Sequence, residues 1–308
     1  MLAIILKALS TGEAPLDLRR MHRIIVAADF AGELAELSAA TKSGRPIAHT
    51  NEEYAVAVAK VLLLPKGEEI EILPVFNANL LIPLTEDIVS EAGRHILHVV
   101  HHELCHVHDD NKKLDAMPQV WLRHHYLGKD MFSGPLAECC WAEYAANRLS
   151  SSSSTPDSVT AMTDSLQSAI RRTKMEIDTK ILEYRYHGDL DLLLGIFKRH
   201  GEFLAIAAAY VLGYIDGLQK TLEELSPNAA QELANSYFET TWNSMQTALR
   251  EMWETYPEGW HDISTYTRLA VVLEQYYSSM GLALSTMENG HAYVDIPFRP
   301  ETTPGVRF

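Results

Sequence analysis

Cysteine, basic charge and long apolar runs are all scarce in this chain, and each scarcity removes a class of protein. Three cysteines occur in 308 residues: Cys105, Cys139 and Cys140. Two are adjacent and the count is odd, so a disulfide framework is excluded as an organising device. Free thiols suit a reducing compartment, and the expectation is a cytoplasmic protein. Lys and Arg total 26 against 41 Asp and Glu, a formal charge of -15. A broad nucleic-acid surface needs a basic footprint, so nucleic acid is not expected as a partner. The densest basic stretch, "IRRTK" at 170–174, reads as an exposed helix face.

Apolar runs are short. The opening "MLAIILKALSTGEAP" is interrupted by Lys7 and has no basic segment before it, which makes it a poor secretion signal and too short a span. The longest later run, "FLAIAAAYVLGYIDGL" from Phe203, is bracketed by Glu202 and Asp216 and reads as a buried helix. No membrane association is expected, and no internal repeat has a fixed period. What remains is a globular composition, 47% hydrophobic and 22% charged, long enough for one large domain or two ordinary ones.

Residues 1 to about 65 look mostly helical, with "EEYAVAVAKVLLL" (52–64) a helix ended by Pro65-Lys66-Gly67. Two strands follow in expectation. "EIEILPVF" (69–76) alternates as a half-buried strand does, and "ANLLIPL" (78–84) contains Pro83 and suits a sheet edge. Thr85 is placed to cap a helix running from about 86 to 110. After a looser stretch to 134, "LAECCWAEYAANRLS" (136–150) forms another helix. The serine run Ser150–Ser154 with Thr155-Pro156-Asp157 is the clearest linker, and its proline starts a further helix. Nearly everything to about 280 is helical, and "AYVDIPF" is a terminal strand.

Six histidines crowd residues 95–108, and within them His102-Glu103-Leu104-Cys105-His106 forms an H-E-x-x-H pattern. Residues four apart on a helix lie about 40° apart around the axis, so His102 and His106 can turn two imidazoles to one ion. Glu103, one step round, can sit beside that ion without ligating it and serve as general base. The plain alternative is a histidine-rich helix whose side chains are exposed or satisfied by hydrogen bonds.

A catalytic zinc site needs a third protein ligand and one open position. Position 112, six after the second histidine, is lysine, which removes one arrangement. Asp109 and Asp110 follow too closely on the same helix for tetrahedral geometry and suit a helix-end or supporting role. "WAEYAANR" is the better source: Glu143 and Asn147 share a helix face, with Glu143 as ligand and Asn147 placed to orient a ligating imidazole. Glu138 is the alternative carboxylate, on a different face. Glu143 by itself would read as an exposed helix acid; the upstream H-E-x-x-H makes it a ligand candidate. His95 and His98 suit supporting or core roles, Cys105 packs in the core, and Cys139 and Cys140 read alike. Tyr184, Tyr186, His187, His124, His125 and Tyr126 are all possible donors to an oxyanion, with nothing to choose between them.

His102-Glu103-x-x-His106 followed by Glu143-x-x-Ala146-Asn147 resembles a gluzincin-type zinc metallopeptidase, most similar to the compact ImmA/IrrE-like proteases. The resemblance covers about residues 50–150. It implies a zincin-like core, a short mixed sheet with an edge strand ("ANLLIPL") that aligns a peptide substrate, Zn2+ as cofactor, and Glu103 as base. Ala145 stands where the family motif carries a second acid. The expected fold is α+β and predominantly helical: residues 1–150 a zincin-like metallopeptidase domain, and 155–308 a helical domain for substrate recognition or regulation. The expected partner is a protein or peptide substrate. Two rivals remain at this point, a non-catalytic zinc-binding scaffold and a helical regulatory or interaction protein.

Overall fold

A computed structural model describes residues 2–12, 14–41, 51–52, 55–56, 59–66, 69–117, 122 and 124–303. The fold is α+β and predominantly helical, as expected, with a three-stranded mixed sheet and small two-stranded ones. The chain divides into two compact units: Met1–Asp115 with Leu149–Thr155, and Ala116–Arg148 with Pro156–Phe308.

In the first unit, helix α1 (Leu2–Thr11) precedes strand β1 (Ile25–Ala27) and helix α2 (Phe30–Thr41). Strands β2 (Asn51–Glu52) and β3 (Ala55–Val56) pair with each other, and β4 (Ala59–Lys66) forms an antiparallel pair with β5 (Glu69–Asn77). The helix expected over 52–64 is therefore corrected: its described residues are extended. The signal was ambiguous because a short apolar run fits a strand as well as a helix. Burial settles it, since Leu62 and Leu64, two apart, are buried together with Leu73 and Val75 of β5. Gly67 of the expected stop signal lies outside the described residues.

β5 is the centre of the sheet order β1-β5-β4, parallel to β1 and antiparallel to β4. The strand expected at 69–76 is present, but residues 71–76 are all buried, so it is a two-sided central strand rather than a half-buried one. Pro74 is tolerated there because β1 pairing begins only at Val75.

The second expected strand, 78–84, is a further correction. Ala78–Leu81 forms a 3-10 turn capped by Asn77, whose side chain accepts from the Asn79 N–H at 3.0 Å, and Ile82–Glu86 forms helix α3. Pro83 falls in the first turn of α3, where its missing N–H removes no helical bond. The sheet's edges are thus β1 and β4, and the segment expected to align a substrate is helical.

Helix α4 (Glu91–Ala116) starts later and ends later than expected. Its cap is Ser90, not Thr85: Ser90 Oγ accepts from the Gly93 N–H at 3.0 Å, while Thr85 Oγ1 donates back to Ile82 O within α3. Gly93 is required by proximity, since a Cβ there would lie 2.1 Å from Asp87 O. Ile96, Val100, Leu104, Val107 and Leu114 form the buried stripe that fixes the roll of α4.

Helix α5 (Asp130–Ser150), which belongs to the second unit up to Arg148, encloses the expected helix at 136–150 and begins six residues earlier. Apart from 3-10 turns at Ile263–Tyr266 and Pro300–Thr302, the unit's remaining elements follow in order. They are α6 (Pro156–His187), α7 (Leu190–Ile196), a π-helical turn (Phe197–Glu202), α8 (Phe203–Leu218), α9 (Leu222–Leu225), α10 (Pro227–Ala234), α11 (Glu239–Thr255), α12 (Thr267–Ser279) and the hairpin of β6 (Ala283–Thr286) and β7 (Ala292–Asp295). Pro156 opens α6 as the sequence indicates, and the serine run before it makes one 3-10 turn.

Leu136, Ala137, Cys140, Trp141, Tyr144 and Ala145 put one stripe of α5 into the unit's core. Trp141 sits among Trp253, Tyr256 and Trp260, with ring centroids 4.6 to 6.1 Å away. Ten residues of α8 are buried, as expected of its apolar sequence. Length and composition alone would let the run Leu190–Leu218 cross a membrane, but much of it is core here. At Gly213, a Cβ would lie 2.5 Å from Tyr144 O and 2.8 Å from Asn147 Cβ, so the glycine permits α8 to lie directly on the α5 backbone.

Candidate metal centre

α4 carries His102 and His106 on one face, as the four-residue spacing requires. Their Nε2 atoms lie 3.1 Å apart, and the rings meet edge to face with centroids 4.8 Å apart. The ligand atoms of His102, His106 and the Glu143 carboxylate all lie within 4.8 Å of one another. This group could hold a metal ion. Among the described residues, no other set of His, Cys, Asp or Glu side chains converges in this way.

The donor set suits zinc. Two nitrogens bound at about 2.0–2.1 Å to one tetrahedral ion stand about 3.3 Å apart, close to the separation observed. His102 is buried and His106 and Glu143 are half-buried. Glu103, also half-buried, is one residue on from His102 and about 100° round the helix.

The surrounding histidines have their own partners. His98 Nδ1 and His101 Nδ1 both meet Ser153 Oγ, at 3.0 and 2.8 Å. Ser153 Oγ also donates its only proton to Ser150 O at 2.9 Å. With that proton committed, Ser153 Oγ accepts from the Nδ1–H of both rings. Burial holds the pKa of His98 down to about 3, and neighbouring His102, His101 and His95 push the same way. Burial, then His102, lowers His101 to about 4. Both are neutral at pH 7 and serve as spacers clamped to the 3-10 turn. The sequence shows the serine run only as a linker; this contact spans more than fifty residues and has no local pattern.

His108 is tied elsewhere, its Nδ1 accepting from the Asp17 N–H at 2.8 Å. Asn111 donates to Asp17 O and Val107 O, both at 3.0 Å, and Arg20 bonds Asn111 and Asp115. A segment near the N-terminus is thereby strapped along the last turns of α4. Asp109 and Asp110 both pair with buried Lys113 at 2.8 Å. Burial raises the Asp110 carboxyl, with Lys113 opposing. Neither aspartate belongs to the metal group, in line with a supporting role.

Glu138, the alternative carboxylate, accepts from Tyr126 OH at 2.6 Å and is outside the metal group. Burial and then Glu138 push the Tyr126 phenol up. Asn147 Nδ2 donates at 2.8 Å to Glu143 O in the same helix. The side chain steadies the ligand's own turn. Tyr144 OH donates to Asp216 Oδ2 at 2.7 Å, Arg250 grips the same carboxylate, and Arg148 stacks over Trp253 at 4.3 Å. These contacts fix the rotation of α5 and so the stripe on which Glu143 stands.

Cys105 and Cys140 are buried, their thiols pushed well up chiefly by burial, and Cys139 is exposed. His124 lies edge-on to Tyr126 at 4.5 Å, Tyr186 is exposed, and His187 Nδ1 accepts from the Asp189 N–H at 2.9 Å. Comparison with protein families, with curated proteins and with solved structures finds no match.

Proposed function

We propose that this protein is a zinc-dependent peptidase of the gluzincin type, acting in the cytoplasm on a protein or peptide substrate. The observation that carries the reading is the convergence of His102, His106 and Glu143, from two helices, with Glu103 next to the first ligand. The likeness to ImmA/IrrE-like proteases rests on the same residues. His102 and His106 would hold Zn2+ through Nε2 and Glu143 through its carboxylate. Zinc, when bound, supplies a Lewis acid that polarises a peptide carbonyl and makes water a nucleophile near neutral pH.

Glu103 then has two duties. Its carboxylate takes a proton from the attacking water and delivers it to the nitrogen of the departing amine. A purely structural metal site has no use for that acid, so Glu103 favours the enzyme over the scaffold. Free thiols at Cys105, Cys139 and Cys140 suit the compartment proposed.

Replacing Glu103 by Gln separates the readings. The peptidase reading expects one zinc per chain retained and proteolysis reduced by about 10²–10⁴-fold. Unchanged proteolysis would remove Glu103 as base, and a purified protein with no stoichiometric zinc, or with iron in its place, would end the reading. The Glu103→Gln protein is also the bait of choice for capturing the substrate.

A further inference from the structure

Helix α5 carries Glu143, and over the three turns before that ligand its water-facing side is apolar. Building on the peptidase reading, on which this step rests, we propose that the substrate lies along this face. It takes about five residues of extended chain with apolar side chains, on one side of the bond to be cleaved.

Met131, Pro135, Cys139 and Ala142 follow one another at spacings of four, four and three. They fall within about 80° of the helix circumference, and Glu143 stands about 40° beyond Cys139 at the edge of the same face. Met131 is 55% exposed, Pro135 and Cys139 are exposed, and Ala142 is half-buried. The core side of α5 is already filled by Leu136, Cys140 and Tyr144, so this second apolar stripe is not needed for folding. A helix side turned to water is ordinarily polar. The acid at its margin, Glu138, is engaged by Tyr126 OH at 2.6 Å. The whole face lies within the second unit.

Two observations point to a peptide chain as the occupant. The face is continuous with Glu143, whose carboxylate converges with His102 and His106, so a chain lying on it leads to the metal centre. Pro135 supplies the second. It sits inside the helix and has no N–H, so Met131 O lacks the donor that the rest of the helix provides four residues on. That carbonyl lies between two exposed side chains and can accept from a main-chain N–H of a bound chain. From Met131 to Glu143 the helix rises about 18 Å, the length of about five extended residues. A charged substrate side chain would give up water here for thioether, ring and methyl groups that cannot pair with it, whereas an apolar one gains by burial.

The test uses full-length Glu103→Gln protein loaded with zinc, so that a bound peptide stays intact. Cys139 is exposed while Cys105 and Cys140 are buried, so the rate at which iodoacetamide alkylates Cys139 reads the face directly, by mass spectrometry. The probe is a blocked pentapeptide of Ala, Leu and Val. At ten times its Kd it is expected to slow alkylation about tenfold, because about one site in eleven stays open. A blocked pentapeptide of Ser, Asn and Gln is expected to leave the rate unchanged. Met131→Glu, at an exposed position, should weaken the apolar probe about tenfold while zinc content and thermal midpoint stay as they were. Equal alkylation with and without the apolar probe, equal protection by the polar one, or undiminished protection in Met131→Glu would each overturn the proposal. Proteolysis by the wild-type chain is scored separately. Protection without cleavage supports the docking face and counts against the peptidase; cleavage without protection removes the face and leaves the peptidase standing.

Discussion

At the scale of single residues, buried neutral imidazoles make stability depend on pH. His98 is 4% exposed and keeps its pKa near 3, against 6.5 in an unfolded chain. Between those values the unfolded state binds a proton that the folded state refuses. Stability from this residue is therefore complete above pH 6.5 and is lost as pH falls towards 3. By pH 5 the loss amounts to about 2 kcal/mol. Urea midpoints measured with chelator present, so that metal release does not contribute, should fall over pH 6.5–5. His98→Gln, whose amide can still reach Ser153, should flatten that slope by about one proton. An unchanged slope would mean that His98 charges as easily folded as unfolded.

At the scale of elements, two glycines in the second unit make a controlled pair. Gly213 of α8 lies against Tyr144 O and Asn147 Cβ, groups that belong to the ligand-bearing α5. A methyl there has to push backbone away from backbone, and Gly213→Ala should cost about 1–3 kcal/mol. Gly195 of α7 has nothing within 4 Å of its would-be Cβ. Gly195→Ala should stabilise by about 0.5–1 kcal/mol, the ordinary helix-propensity gain. Thermal midpoints moving in opposite directions would confirm that close approach, rather than glycine content, holds α5 in place; equal shifts would refute it.

The same scale shows where sequence is a sufficient guide. The His102–His106 pair and the face of Glu143 follow from helical periodicity, which is local and regular. The apolar α8, the Pro156 start of α6 and the strand at 69–76 are legible for the same reason. The errors lie where local signals compete. "AKVLLLPK" becomes β4 because β5 is there to pair with it, and "ANLLIPL" becomes helical because Asn77 caps a turn and Pro83 fits a first helical turn. The Ser153 clamp on His98 and His101 was not legible at all, since nothing near residue 153 announces partners at 98 and 101.

At the scale of the whole molecule, the candidate metal centre links segments distant in sequence. Glu143 stands 37 positions beyond His106, on a separate helix. An ion bound by the folded chain and not by the unfolded one stabilises by mass action, about 4 kcal/mol at a thousandfold excess over Kd. For a chain of this size each kcal/mol raises the thermal midpoint by about 2–4 °C. Adding zinc to the chelated protein should therefore raise it by roughly 8–16 °C, and calorimetry reads this without any substrate. Glu143→Gln keeps the side chain's volume but weakens its binding to a cation, and should remove most of that gain. Glu103→Gln should leave the gain intact, because that carboxylate is assigned to the reaction and not to the ion. If both variants lose the gain equally, Glu103 is a ligand and the division of labour proposed here is wrong. If neither does, zinc binds elsewhere.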